Sequence, residues 1–129
     1  MGPLIFVIDD QEEMRSLAST VLLKAGFEVQ AFESAALAFE KVRGATPPAL
    51  ILLDVVMPDV DGFGFLRLLA LGPRGAKIPV IVCSSIIDLQ RTKFPEGVNI
   101  AGTLDKPFTA VDLIKVVRHA LTQGLAARF

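Results

Sequence analysis

The sequence predicts a doubly wound α/β fold, a parallel β-sheet with helices on both faces and right-handed crossovers. Two observations predict it. Short apolar runs alternate with helical stretches five times along the chain. The runs are also continuously hydrophobic rather than alternating, as strands covered on both faces are.

Residues 4–8 (LIFVI), 50–53 (LILL) and 80–83 (VIVC) are the firmest strands, with a weaker one at 102–104 and a more polar one at 27–31. The first helical stretch, 11–26, sets Met14, Leu17, Ala18, Val21 and Leu22 at helical spacing and is closed by Gly26. The second, 33–44, has Ser34 as its N-cap, and the third covers 62–71. The last, 109–123, has Thr109 as N-cap and turns Leu113, Ile114, Val117 and Leu121 to the core. That leaves Val111 and Val116 for the surface, where an apolar patch would point to a homodimer or a partner face. The fourth stretch is broken by Pro95 and Gly97, which predicts a short helix ending near Phe94 and then a loop.

A length of 129 residues is one ordinary domain, here 1–129 with a core of about 4–121. Hydrophobic residues make up 52%, yet no apolar run approaches the roughly 18 residues of a membrane span. The excess belongs in strands buried on both faces. The first residues carry neither a basic region nor a cleavage site, so the expectation is a cytoplasmic protein with no membrane partner. Thirteen basic against fourteen acidic residues, with no basic block, argue against direct nucleic-acid binding. The one cysteine, Cys83, lies inside an apolar run and reads as core. His119, beside Arg118 on the last helix, reads as a solvated surface residue.

Ligands of such sheets bind beyond the carboxyl ends of the strands, where strand order reverses. The polar residues fall there. The first strand ends in Asp9-Asp10, the third in Asp54, the fourth in Ser84-Ser85 and the fifth in Asp105-Lys106-Pro107. Singly, each has a bland explanation: Asp-Asp caps the next helix, Asp54 caps a turn, Lys-Pro ends a strand. Together they deliver carboxylates, a hydroxyl and an ammonium to one rim. Converging carboxylates repel by about 3 to 4 kcal/mol per pair at ~5 Å and an effective dielectric near 20, and a divalent cation removes that cost. Oxygen-only donors on an open rim suit Mg²⁺ or Mn²⁺ and a phosphate oxygen. Beside such an ion a carboxylate can attack a phosphoryl group, which makes Asp54 the nucleophile and Lys106 the opposing cation.

The segments VIDD, LLDVVMPDVDG, PVIVCSS and DKPF, in that order and spacing over about residues 4–121, resemble the receiver domain of two-component response regulators. The resemblance implies a flavodoxin-like sheet of strand order 2-1-3-4-5 and a phosphoacceptor at Asp54. It implies Mg²⁺ held by Asp10 directly and Asp9 largely through water, with the Val56 carbonyl a further ligand. Ser84 matches the hydroxyl that swings toward the phosphoryl group, Lys106 the lysine that pairs with it, and Pro107 is expected after a cis bond. Met57-Pro58 and Asp61-Gly62 match the turn that follows. The implied partners are a histidine kinase or phosphotransfer protein upstream and a downstream protein or output domain. The implied output is a changed surface over the fourth helical stretch, the fifth strand and the last helix.

Three departures stand out. Thr103 replaces the family's switch aromatic, and the fourth helix is irregular, so a rebuilt loop at 95–102 is one candidate for reading the signal. Val56 and Ile86 occupy positions that tune hydrolysis, and neither side chain can hold a water, which predicts a slowly hydrolysed aspartyl phosphate. Two alternatives remain. A phosphorylation-independent receiver-like scaffold is compatible with the missing aromatic. A haloacid dehalogenase-like phosphatase needs an acid two residues after the nucleophile, where Val56 stands.

Overall fold

The apolar runs become strands: β1 (Leu4–Ile8), β2 (Glu28–Phe32), β3 (Leu50–Asp54), β4 (Val80–Ser84) and β5 (Ile100–Asp105). Between and after them lie α1 (Glu12–Lys24), α2 (Ala35–Val42), α3 (Gly62–Leu71), a 3-10 turn (Gly75–Lys77) and α4 (Ala110–Ala126). The structure, a computed structural model, describes residues 2–44, 46–55, 62–84 and 93–126. Among them the five strands form one parallel sheet in the order β2-β1-β3-β4-β5, the predicted one. Strand order reverses beside β1, which puts the switch point between β1 and β3.

The pleat divides each central strand between two cores. Phe6 and Ile8 of β1 join Ile51, Leu53, Val80 and Val82 under α2 and α3. Ile5 and Val7 join Leu50, Leu52, Ile81 and Cys83 under α1 and α4. Every residue of β3 and β4 is buried, which explains the continuous hydrophobicity of those runs. Each fully buried Leu, Ile or Phe contributes about 1.5–3 kcal/mol relative to an exposed one.

The caps follow the sequence. Gly26, at φ 96, ends α1 in a left-handed residue. The Gly26 and Phe27 N–H groups donate back to the Leu23 and Leu22 carbonyls, a Schellman closure. Ser34 Oγ accepts from the Leu37 N–H. Thr109 and Asp112 cap α4 reciprocally, each side chain accepting the other's backbone N–H.

Four details differ from the sequence reading. Leu17 is 46% exposed, because the core stripe of α1 centres on Ala18 and Leu22 and Leu17 stands 100° to one side. Val116 is half-buried against β5, its Cγ1 only 3.2 Å from where a Cβ on Gly102 would stand. Val111 is exposed as expected. β5 begins two residues earlier than predicted and takes up Ala101 as a bulge opposite the Val80–Ile81 step. Most of the predicted fourth helix, which ends near Phe94, lies outside the described residues, and Phe94 itself is not helical. Its ring stacks on Phe63 of α3 at 6.3 Å and 30°, and Gly97 turns the chain with φ 87.

Candidate functional site

Among the described residues the buried polar side chains are Asp9, Asp54 and Ser84. All three stand at the carboxyl ends of adjacent strands β1, β3 and β4, two of them flanking the switch point. The described interior is otherwise apolar, so these groups occur where the strands run out of cover.

Lys106, one residue past β5, reaches back over the rim. Its Nζ donates to Asp9 Oδ2 at 2.8 Å and to Asp54 Oδ2 at 3.1 Å. The ammonium is positioned by its own backbone, whose N–H donates to the Ser84 carbonyl at 2.8 Å; the Lys106-Pro107 bond is cis, as expected. Burial alone pushes the Lys106 pKa down, but the hydrogen bond to Asp9 and the charge of Asp54 more than reverse it. Lys106 therefore keeps its proton above the ordinary lysine range.

Asp9 has a second task. Its Oδ1 accepts the Gln11 N–H at 2.9 Å and so starts the turn into α1, whose N-cap Gln11 gives no side-chain cap of its own. The capping explanation of the acid pair thus holds for Asp9 at the same time as the charged one. Asp10 is exposed at the rim. One carboxylate oxygen from each of Asp9, Asp10 and Asp54 lies within 4.8 Å of the others. Trans ligands on Mg²⁺ are about 4.2 Å apart, so this group fits a hard divalent ion with water completing part of the shell. The charge also fits: three carboxylates against one ammonium leave the rim at a formal −2.

Of the residues expected at the rim, the structure brings Asp9, Asp10, Asp54 and Lys106 together; sequence reasoning missed Arg15, whose Nη1 donates to the Asp9 carbonyl at 2.8 Å. A basic residue six positions after Asp9, on the first turns of the following helix, was the available signal. The predicted carbonyl ligand Val56, the turn residues Met57, Pro58 and Asp61, and the hydrolysis position Ile86 lie outside the described residues. Gly62 is described, and it presses so closely on β3 that a Cβ there would stand 2.6 Å from Val55 Cα. Cys83 is buried, and burial pushes its thiol far above the ordinary range. His119 is exposed on α4.

The sequence pattern of the response regulator receiver domain matches residues 5–118. The chain belongs to that family. Receiver domains bind Mg²⁺ through acidic residues and interact with histidine kinases and with output domains. This receiver domain is 31% identical to the chemotaxis protein CheY of Bacillus subtilis, over 94% of this chain and 99% of that one. It is 30% identical to the response regulator receiver protein CpdR of Brucella abortus, over 91% and 95%. A protein-glutamate methylesterase/protein-glutamine glutaminase of Anaeromyxobacter dehalogenans shares 40% identity over 67% of this chain, but only 24% of its own length. The chain likewise spans 50% of the transcriptional regulator GltR of Pseudomonas aeruginosa. The fold superposes on chemotaxis response regulator CheY4 of Vibrio cholerae with TM-score 0.84 at 23% identity, covering 93% and 99% of the two chains. Among the described residues no helix is long and apolar enough to cross a membrane.

Proposed function

We propose that this receiver domain is a Mg²⁺-dependent phosphoacceptor whose nucleophile is Asp54. The observation that carries the proposal is the single ammonium of Lys106 shared between two buried carboxylates of different strands. Asp10, Asp54 and, through water, Asp9 would hold Mg²⁺, with the Val56 carbonyl as a further ligand. Bound there, the ion neutralises charge on phosphoryl oxygens. An Asp54 carboxylate oxygen attacks the phosphorus of a phosphohistidine on a kinase or phosphotransfer protein. The P–N bond breaks, and the imidazole leaves with the electron pair and takes a proton from solvent. Lys106 exchanges part of its contact with Asp54 for the new phosphoryl oxygens, and the Ser84 hydroxyl donates to another. Added charge of roughly −1.5 to −2 is enough to bias two conformations a few kcal/mol apart and so to change partner binding. The chain's own catalysis is confined to this transfer and to slow loss from Asp54.

Intact mass after incubation with Mg²⁺ and acetyl phosphate tests this. One added phosphoryl group is expected, absent in Asp54→Ala and after chelation. With Val56 and Ile86 at the tuning positions the adduct should persist, and decay within seconds without a phosphatase would contradict that part. No adduct on a folded chain would favour the phosphorylation-independent scaffold, a reading that Thr103, exposed on β5, leaves open.

A further inference from the structure

The carboxyl-terminal halves of α2 and α3 flank an open groove at the edge of the sheet opposite the acidic rim, since these helices run antiparallel to the strands. Phe39, Val42, Leu68 and Pro73 line it, and Arg43 and Arg74 stand at its margin. Leu68 is 46% exposed, and Leu71, one turn further along α3, is 82% exposed. Single exposed leucines are ordinary. Here they are neighbours on one helix face and adjoin a groove that is itself apolar.

The charge around the groove is one-sided. The charged side chains that line it are Arg43 and Arg74, both basic. Among the described residues no carboxylate pairs with Arg43 or Arg74. Arg74 is held in place by an Nη2 hydrogen bond to the Gly44 carbonyl at 2.9 Å, which fixes its planar fork across the gap between the two helices.

We propose that this groove docks a short acidic amphipathic helix of a partner protein, about two to three turns long. Its apolar side chains would sit on Phe39, Val42 and Leu68, and its flanking carboxylates would pair with Arg43 and Arg74. A nucleic acid would find cations here but no use for the apolar floor. The surface lies at the opposite end of the sheet from the acidic rim and contains none of its residues.

The test uses the full chain, ¹⁵N-labelled, titrated with a helix-stabilised peptide of about 12 residues. Leucine and phenylalanine occupy its i, i+3, i+4 and i+7 positions, with glutamates beside them. Saturable amide shifts at Leu68, Gly72 and Arg74 are expected, weakening with salt and falling at least about tenfold in affinity for Arg43→Glu/Arg74→Glu and for Leu68→Gln. Both variants replace exposed side chains and should keep the far-UV spectrum and the phosphoryl mass gain. The proposal is overturned if those amides do not move, or if a peptide with lysines for the glutamates binds equally well. It is also overturned if a single-stranded oligonucleotide binds the same amides more tightly, or if sedimentation shows the groove already filled by a second copy of the chain.

Discussion

Asp10 shows how unevenly charge is shared at the rim. Lys106 Nζ serves Asp9 and Asp54, which leaves Asp10 adding a negative charge with no ammonium of its own among the described residues. Replacing it should relieve repulsion in the metal-free protein. Asp10→Asn is therefore expected to raise the melting temperature by about 2–4 °C in chelator and to reduce the further rise that Mg²⁺ gives by mass action. Parallel thermal scans with and without Mg²⁺ check both halves. A lower melting temperature in chelator would mean that Asp10 makes a stabilising contact in the folded chain.

At the scale of elements, α3 depends on one missing atom. A Cβ on Gly62 would stand 2.6 Å from Val55 Cα and 3.2 Å from the Asp54 carbonyl, and backbone cannot move aside as a flexible side chain can. Gly62→Ala should cost about 1–3 kcal/mol, read as a lower urea midpoint with unchanged slope. It should also disturb phosphoryl uptake, because α3 then starts further from the end of β3. Elements were legible in the sequence where local chemistry decides them. The Gly26 closure, the Ser34 and Thr109 caps and the three buried strands each announce themselves in a few residues. What escaped was set by tertiary partners. Val116 looks like a surface residue until Gly102, on a strand 14 positions away, leaves room for it, and β5 lengthens because a bulge opposite Val80 lets Ile100 pair. The site was legible for a different reason: polar residues at the ends of apolar runs are conspicuous whatever the packing. Arg15 was not, because it acts through a backbone carbonyl that no side-chain pattern marks.

For the whole molecule, burial of Cys83 ties stability to alkaline pH. Its thiol pKa is raised in the folded state, chiefly by burial, with Asp54 and Asp9 adding to the effect and Lys106 opposing it. An unfolded thiol titrates near about 8.5, so above that pH the folded chain holds a proton that the unfolded chain has lost. Stability is complete below about pH 8.5 and falls as pH rises beyond it. Urea midpoints from pH 7 to about 10 should show the decline, and Cys83→Ala should flatten it whatever its effect on the midpoint at pH 7. The two bonds of Lys106 have a consequence for how the molecule is made. They join residues 97 and 52 positions apart in the chain, so during synthesis the carboxylates of β1 and β3 exist well before the ammonium that balances them. A growing chain on the ribosome carries the rim at a formal −3 and the β4 edge uncovered until residue 106 and β5 emerge. Interruption after β4 but before that point leaves four of the five strands with an unbalanced rim and an uncovered β4 edge, the features of an aggregation-prone fragment and a ready target for cellular proteases.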